Sequence, residues 1–523
     1  MINRRKFLHL TGTGAAGILT SGLASIISAP DVGAATGENN KFNPDLDIDL
    51  IARESEIPIF PGKPTYAWTY RGNLIKGDHT SLIENRSSYL GPTLQVKKGQ
   101  KVRIRFTNDI PEETIVHWHG LHVPAVMDGH PSYVIPRGET YTYEFEVKNR
   151  AGTYWYHPHP HGRTGPQVYG GMAGLFLVSD EADEAAGLPA GQYDIPLVIQ
   201  DRSFDTDNQL MYLSGHMMEQ MVGFLGDRIL VNGKPDYILP VATRPYRLRL
   251  LNGSNSRIYK LAWKDGRPLT VIGTDGGLLE KPVQKRYVML APAERLEIWA
   301  DFSTYPVDSQ TALVSLPFDT NMAGGGRMRQ RGMMGRRGSG MLGRENDPSN
   351  GDPFTIFKVH VKTKETERYP LPDRLVRIPR YRPEAAVNFK QPRTFRLAMQ
   401  HMSGVINGRT FKMNEVADDE VVRMGTLEQW GFVNDARGMG MMGMMNQPHP
   451  MHLHGKQFQV LERQGVAHDG YIDEGWKDTV LVMPGERVRI LVRFDDYPGL
   501  FLYHCHNLEH EDMGMMRNYY VRQ

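Results

Sequence analysis

Short runs in which apolar and polar residues alternate with a period of two recur along most of the chain. Examples are residues 101–106, 246–250 and 487–492. This period places successive side chains on opposite faces of a strand. Clusters of Gly, Pro, Asn and Asp separate the runs, and long stretches of helical periodicity are scarce. The pattern predicts an all-β protein built from sandwiches.

The length of 523 residues predicts two to four domains, because single cores rarely grow so large. Forty per cent of the residues are hydrophobic, which is typical of a globular protein that can bury a core. The 61 basic and 59 acidic side chains nearly cancel, so no overall electrostatic field would attract nucleic acid.

The N-terminus is predicted to be an export signal, residues 1–34. Residues 3–8 (NRRKFL) precede a Gly/Ala-rich apolar run, and 32–34 (VGA) offers a cleavage site before Ala35. Paired arginines in this position resemble a twin-arginine signal, which implies the twin-arginine export machinery as a partner and a periplasmic location. A basic N-terminus on a membrane helix is the alternative interpretation. Later stretches fall short of the ~18 unbroken apolar residues of a membrane span, so none is expected in the mature protein.

An internal repeat relates the two ends of the chain. Residues 145–159 (FEVKNRAGTYWYHPH) align without a gap to 492–506 (VRFDDYPGLFLYHCH), and each is preceded by an H-x-H-G segment, 117–120 and 452–455. We infer two copies of one β domain whose histidines converge. Pro158 stands opposite Cys505, so only the C-terminal copy offers a thiolate to a metal.

The stretch between the two copies lacks a paired H-x-H motif and is interpreted as a domain that spaces the outer two. The predicted organisation is a first domain at 45–182, a middle domain at 190–365 and a third domain at 393–523. The middle domain contains a Met/Gly/Arg-rich insertion at 321–344, and a proline-rich linker at 366–392 follows it.

Cys505 is the only cysteine and lies between two histidines. Residues i and i+2 of a strand share a face, so His504 and His506 can serve one metal site while Cys505 serves another behind it. A thiolate with two histidines and a weak axial methionine is the ligand set of a blue-copper site. The tripeptide therefore has the form of a short covalent connection between two metal centres.

Four segments resemble those of the multicopper oxidases, the family of laccases and bacterial cuprous oxidases. They are HWHG at 117–120, HPH at 157–159, HPMHLHG at 449–455 and HCH-x3-H-x4-M at 504–515. The resemblance implies three cupredoxin-like Greek-key β-sandwich domains. It also implies four copper ions, one of type 1 in the third domain and three in a cluster between the first and third.

The resemblance assigns the copper ligands residue by residue. The type 1 ligands would be His449, Cys505 and His510, with Met515 as the weak axial ligand. The type 2 ligands would be His117 and His452. The type 3 ligands would be His119, His157, His159, His454, His504 and His506. His122, His130 and His161 are not expected to be ligands.

The implied chemistry is the four-electron reduction of O2 to water by a substrate that gives one electron at a time. The partners are then O2 and a small reductant, and a monomer suffices. Asp128 and Glu511 match acidic positions that the family uses to deliver protons. Alternatively, Asp128 forms a turn with Gly129, and Glu511 orients a ligating histidine.

Methionines favour Cu(I) as the substrate, because thioethers prefer this ion. One group precedes His449 and comprises Met439, Met441, Met442, Met444 and Met445. A second lies in the insertion and comprises Met322, Met328, Met333, Met334 and Met341. A flexible linker or hydrophobic lid is the alternative for each. We therefore predict a cuprous oxidase that serves copper tolerance.

Other functions remain open at this point. Cuprous oxidases of the family tend to carry an acidic residue just before HPxHxHG, whereas this chain has Met445-Asn446-Gln447. Laccase-like oxidation of phenols or other metal ions is one alternative, and a non-catalytic copper store is another. A copper nitrite reductase would need far fewer histidines.

Overall fold

The structure of the protein is a computed structural model. It describes residues 41–213, 217–319, 350–367, 369–400, 402–435, 447–465 and 470–523. The predicted signal peptide, the insertion at 321–344 and the methionines at 439–445 lie outside the described residues. None of the helices in the described part of the chain is long and apolar enough to cross a lipid bilayer.

Strands β1 to β9 form the first sandwich, from a four-stranded sheet (β2-β1-β5-β7) and a five-stranded sheet (β3-β4-β9-β8-β6). The alternation in β1 explains the packing, since Leu46, Ile48, Leu50 and Ala52 are all fully buried on one face. The strands are β1 Leu46–Ile57, β2 Thr65–Lys76, β3 Leu82–Ile83, β4 Thr93–Lys97, β5 Lys101–Asp109, β6 Val116–His119, β7 Thr140–Glu146, β8 Gly152–Pro158 and β9 Gly174–Ser179.

Strands β10 to β22 form the middle sandwich, from an eight-stranded sheet around β10-β15-β20-β17 and a five-stranded sheet (β14-β22-β21-β16-β19). The strands are β10 Asp194–Phe204, β11 Leu210–Met211, β12 Arg228–Val231, β13 Lys234–Pro235, β14 Ile238–Ala242, β15 Pro245–Asn252, β16 Tyr259–Trp263, β17 Leu269–Thr274, β18 Gly277–Lys285, β19 Val288–Leu290, β20 Arg295–Asp301, β21 Gln310–Ser315 and β22 Phe354–Thr363.

Strands β23 to β32 form the third sandwich, from two five-stranded sheets (β24-β23-β26-β30-β28 and β25-β32-β31-β27-β29). The strands are β23 Arg393–Gln400, β24 Ser403–Ile406, β25 Val421–Arg423, β26 Thr426–Asn434, β27 His449–Leu453, β28 Phe458–Gln464, β29 Thr479–Val482, β30 Arg487–Phe494, β31 Gly499–Cys505 and β32 Met516–Arg522.

Helices are short and lie between strands. They are α1 Thr164–Tyr169, α2 Glu181–Ala185, α3 Met217–Val222 and α4 Leu508–Asp512. Single 3₁₀ turns lie at His79–Ser81, Ala125–Met127, Pro131–Tyr133, Gly191–Tyr193, Pro383–Ala385 and Asp418–Glu420. The Asp512 carboxylate accepts hydrogen bonds from the backbone N–H groups of Thr164 and Gly165, which ties α4 to the start of α1.

The three sandwiches share one topology. In each, both sheets contain a parallel pair within an otherwise antiparallel arrangement: β1 with β5 and β4 with β9, β10 with β15 and β14 with β22, β23 with β26 and β25 with β32. Each sandwich has its own hydrophobic core. The predicted all-β fold is confirmed. The domain limits drawn from the sequence enclose these strands and stay a prediction.

Candidate metal centre

Strand register places the histidines of each outer sandwich side by side. In the first sandwich β6 pairs with β8, and His117 stands opposite His157. In the third sandwich β27 pairs with β31, and His452 stands opposite His504. The alternation within a strand then sends Trp118, between two histidines, into the first core, where it is fully buried.

The two sets of histidines meet in one buried group, which we call the histidine cluster. Its members are His117, His119, His157, His159, His452, His454, His504 and His506, and none is more than 1% exposed. Contacts between sandwiches hold it together, because His117 Nε2 lies 3.4 Å from His452 Nε2 and His159 Nε2 lies 3.3 Å from His504 Nε2.

Within the cluster two trios of rings can be distinguished. His159, His454 and His504 bring one nitrogen each to a common point, with His454 Nε2 3.0 Å from His504 Nε2. His119 Nδ1 lies 3.4 Å from His157 Nε2. The His506 ring completes the second trio, with its centroid 5.0 Å from that of His119 and 5.2 Å from that of His157. The remaining pair, His117 and His452, faces both trios.

A second group, the cysteine site, lies on the other side of β31. Cys505 Sγ is 3.4 Å from His449 Nδ1 and 3.7 Å from His510 Nδ1. Met515 is fully buried in the same core, and its backbone bonds to both Cys505 and His510. His510 Nε2 lies 2.9 Å from the carbonyl oxygen of Met221, so α3 of the middle sandwich covers this site.

Acceptors outside the cluster fix the orientation of its rings. Nδ1 of His117 donates to the carbonyl oxygen of Asp128 at 2.6 Å, and Nδ1 of His454 donates to the Asp128 carboxylate at 2.8 Å. Such bonds leave Nε2 free and pointing inward. Gly129, at φ +84°, is required beside Asp128 because a Cβ there would overlap the backbone of Val116 and His117.

Both acidic residues predicted from the sequence lie against the histidine cluster. Asp128 is buried, and burial raises the pKa of its carboxyl well above the usual range. Glu511 Oε2 is 3.0 Å from His504 Nδ1, and its Oε1 is 3.5 Å from His159 Nε2. Burial would raise the pKa of Glu511, but its contacts with the His504 and His159 rings hold it below the usual range. Their role in proton delivery stays a prediction.

The three histidines that were not expected to be ligands, His122, His130 and His161, lie outside the cluster. His122 contacts the carbonyl of Gly455 at 2.7 Å and Asp496 at 2.6 Å, so it links the first and third sandwiches. His130 Nε2 donates to the Asn518 side chain at 2.9 Å across the same interface. His161 is exposed and packs against the buried ring of Phe411.

Copper fits this arrangement of donors. Burial lowers the pKa of His117, His119, His452 and His454 well below the usual range, so these rings are neutral and able to ligate. Both ring nitrogens of His506 are buried without a hydrogen-bond partner among the described residues, which is costly unless a metal binds there. Imidazole and thiolate donors together suit copper.

Sequence reasoning missed Asp478 and Arg295. Asp478 Oδ1 lies 3.0 Å from His119 Nε2, and Arg295 of the middle sandwich donates to the same oxygen at 2.8 Å. The middle domain therefore does more than space the outer two, because it also contacts both metal sites. A single aspartate before the apolar run of β29 does not indicate a functional residue in the sequence. The neighbouring Thr479, whose Oγ1 lies 3.2 Å from His119 Nε2, is the one further polar residue there that could have drawn attention to it.

Comparisons with known proteins agree with this geometry. The family described as multicopper oxidase matches residues 69–183 and again 386–523, the two segments that carry the histidines. A laccase from Bacillus stratosphericus is 32% identical over 87% of this chain and 90% of that protein.

Solved structures give the same result. McoA multicopper oxidase from Aquifex aeolicus is similar with a TM-score of 0.75 and 34% identity, over 92% of this chain and 97% of that one. A multicopper oxidase from Campylobacter jejuni, described as a metallo-oxidase, has a TM-score of 0.70 and 25% identity, over 96% of this chain and 98% of that one.

Proposed function

The chain belongs to the multicopper oxidase family, and from that premise we propose that it oxidises Cu(I) and passes the electrons to O2. Membership makes it a copper-containing oxidoreductase with O2 as acceptor. The observation that carries the proposal is the pairing of the cysteine site with the histidine cluster through one tripeptide, His504-Cys505-His506.

The proposed ligands follow the two groups. His449, Cys505 and His510 would hold the type 1 copper beside Met515, supported by the short contacts to Sγ. His117 and His452 would hold the type 2 copper through the facing Nε2 atoms. The two trios would hold the type 3 pair, one with His119, His157 and His506 and the other with His159, His454 and His504. The proposed arrangement would hold four copper ions.

The reaction balances as four Cu(I) and four protons with one O2, giving four Cu(II) and two waters. Bound copper supplies the one-electron storage that this reduction needs. The backbone of residues 504–506 joins the two sites, so the chain itself is the path between them. Cys505, His449 and His510 are at most 2% exposed, which excludes water from the cysteine site.

Protons must reach the cluster from groups that hold them. Asp128, whose pKa is raised by burial, sits 2.8 Å from His454 and is proposed to hold a proton there. Glu511 lies beside His504 and His159. Both carboxyl groups touch the trio of His159, His454 and His504, Asp128 through His454 and Glu511 through the other two rings, and both are proposed to deliver protons there.

Cu(I) is proposed as the substrate because a helix that carries a methionine covers the cysteine site and two segments of the sequence are rich in methionine. Met221 lies on the helix that covers His510, and the two methionine-rich segments precede His449 or belong to the middle domain. The similarity to a metallo-oxidase supports a metal substrate. The similarity to a laccase supports the second candidate, oxidation of phenols.

Location and physiological role are also proposals. The NRRKFL sequence and the small residues at 32–34 support twin-arginine export to the periplasm. A cuprous oxidase there would protect that compartment from Cu(I), which is the proposed role in copper tolerance.

Oxygen uptake tests the function. The copper-loaded protein is given Cu(I), Fe(II) or a phenol in turn, and the highest kcat/KM is expected with Cu(I). Deleting residues 321–344 should reduce Cu(I) oxidation more than phenol oxidation, with the phenol rate as the control for an intact oxidase. Absence of O2 uptake with every reductant would refute the oxidase and favour a copper store. Equal losses on both substrates would refute the role of the insertion.

A further inference from the structure

His119 is turned differently from its neighbours in the histidine cluster. His117, His452 and His454 donate through Nδ1 to oxygen acceptors and direct Nε2 inward. In His119 the nitrogens are exchanged, because Nδ1 faces His157 at 3.4 Å and Nε2 faces Asp478 Oδ1 at 3.0 Å. Among the cluster histidines, His119 is the one whose Nε2 is hydrogen-bonded to a carboxylate, since the Nε2 of His159 lies farther from Glu511, at 3.5 Å.

Asp478 is an unusually well-held acceptor. It is fully buried, and Arg295 Nη1 donates to its Oδ1 at 2.8 Å while Nη2 donates to its Oδ2. Thr479 Oγ1 donates to Asp478 Oδ1 at 2.9 Å. A two-point contact between a guanidinium and a carboxylate fixes the plane of the carboxylate as well as its position.

Arg295 in turn is anchored by all three sandwiches. It donates to the carbonyl oxygens of Thr153 in the first sandwich at 2.9 Å and of Asp275 in the middle sandwich at 3.1 Å. Its partner in the third sandwich is Asp478, and a further bond to the carbonyl oxygen of Ala293 stays within the middle sandwich. The side chain that aims the carboxylate at His119 is thus fixed only when the three sandwiches are docked.

The backbone of the first sandwich leaves room for this pair. Gly120, directly after His119, has a φ of +85°. A Cβ at this position would lie 2.5 Å from Asp478 Oδ2 and 2.9 Å from Arg295 Nη2. The glycine that ends the HWHG segment is therefore the point at which the ion pair approaches the strand carrying His119.

We propose that Asp478 and Arg295 are positioning residues that hold His119 with Nδ1 toward the metal centre. A carboxylate only accepts hydrogen bonds, so it keeps the proton on Nε2 and leaves the Nδ1 lone pair free for a metal. The middle domain, which contributes no side chain to the histidine cluster among the described residues, thereby sets the orientation of one of its rings. This inference rests on the proposed function in that the cluster binds copper.

The test is Asp478→Asn, which keeps the shape and removes one acceptor oxygen. The asparagine amide has two orientations. Its N–H group either faces Arg295, where it breaks the two-point contact, or faces His119 Nε2, where it favours the tautomer with the proton on Nδ1. We expect cluster copper to be lost to a chelator at about 10–100-fold lower chelator concentration than in the wild type, as for other groups that orient ligands. The blue absorption of the cysteine site should be unchanged, which provides a reference within the same molecule.

Arg295→Lys is the second variant, since it keeps the charge and loses the two-point contact. Its cluster copper should also be lost at a lower chelator concentration than in the wild type, but by a smaller factor than in Asp478→Asn. The far-ultraviolet circular dichroism of the copper-free variant should be that of the wild type. The matched control is Asp201→Asn, which breaks a buried ion pair with Arg257 in the same middle sandwich, both residues being 1% exposed. The control should lower the unfolding midpoint and leave chelator sensitivity unchanged.

Equal chelator sensitivity in Asp478→Asn, in Arg295→Lys and in the control would overturn the inference and leave a purely structural ion pair. Loss of the blue absorption together with the cluster copper would overturn it as well. A wild-type protein that takes up no cluster copper would instead refute the proposed function, so the two failures are distinguishable.

Discussion

A methyl group added at Gly120 tests how closely the Arg295–Asp478 pair approaches the histidine cluster. Gly120 has a φ of +85°, and its new Cβ would lie 2.5 Å from Asp478 Oδ2. The matched control is Gly138→Ala, at a φ of +90° with no atom within 4 Å of the new Cβ. Both variants carry the same backbone strain, and only one carries the overlap.

The expected magnitudes separate the two variants. The left-handed conformation costs an alanine about 1–2 kcal/mol, which applies to both. Overpacking a buried contact adds about 1–3 kcal/mol, which applies to Gly120→Ala alone. We therefore expect the free energy of unfolding to fall by about 2–5 kcal/mol for Gly120→Ala and about 1–2 kcal/mol for Gly138→Ala.

Denaturant unfolding of the copper-free proteins measures the stability of each variant. Copper loading followed by near-ultraviolet absorption and electron paramagnetic resonance then reports on the cluster. Gly120→Ala should change the cluster spectrum while the blue absorption persists, and Gly138→Ala should change neither. Equal unfolding midpoints for both alanine variants, or an unaltered cluster spectrum in Gly120→Ala, would refute the reasoning.

Three further predictions follow from other parts of the molecule. Cys505→Ser should abolish the blue absorption and turnover while the cluster copper remains, and retained colour would contradict the assignment of the cysteine site. Glu420→Gln should destabilise the third sandwich by about 3 kcal/mol in thermal or denaturant unfolding, because it removes the buried carboxylate that Arg517 contacts at two points, 2.7 Å each, and leaves this guanidinium only Glu415 at 3.2 Å as an acidic partner. Its control Glu462→Gln removes a half-exposed pair and should cost under about 1 kcal/mol. Burial lowers the pKa of His130 to about 4 in the folded protein. Between pH ~6.5 and about 4 the unfolded chain therefore binds a proton at this position that the folded protein does not, so the free energy of unfolding decreases as the pH falls through this range. His130→Gln should remove up to about 3 kcal/mol of that acid sensitivity, and an unchanged pH profile of the unfolding midpoint would contradict it.

The structural features that could be predicted from the sequence are those that depend on residues close together in the chain. The period of two in the strands gave the all-β fold, because a strand buries alternate residues. The tripeptide at 504–506 gave the separation of Cys505 from His504 and His506 onto two faces of β31, which follows from the same alternation. The gap-free repeat indicated that two sandwiches contribute equally.

The features that it missed depend on contacts between distant parts of the chain. Arg295 and Asp478 are 183 residues apart, and each alone is an ordinary charged residue beside a strand. The contact of His510 with Met221 uses a backbone carbonyl, which every residue possesses and which no side-chain pattern can reveal. Charged pairs across domain interfaces have no periodicity, so only the folded structure shows them.

The histidine cluster also has a consequence for the order of events during synthesis. Its contributions begin at His117 and end at His506, and the cysteine site lies entirely between His449 and Met515. A ribosome must therefore pass His506 before the histidine cluster can exist and Met515 before the cysteine site is complete. Copper insertion is then a step that follows synthesis of β31 and docking of the sandwiches, because a nascent chain stalled before β31 carries six of the eight cluster histidines and lacks Cys505.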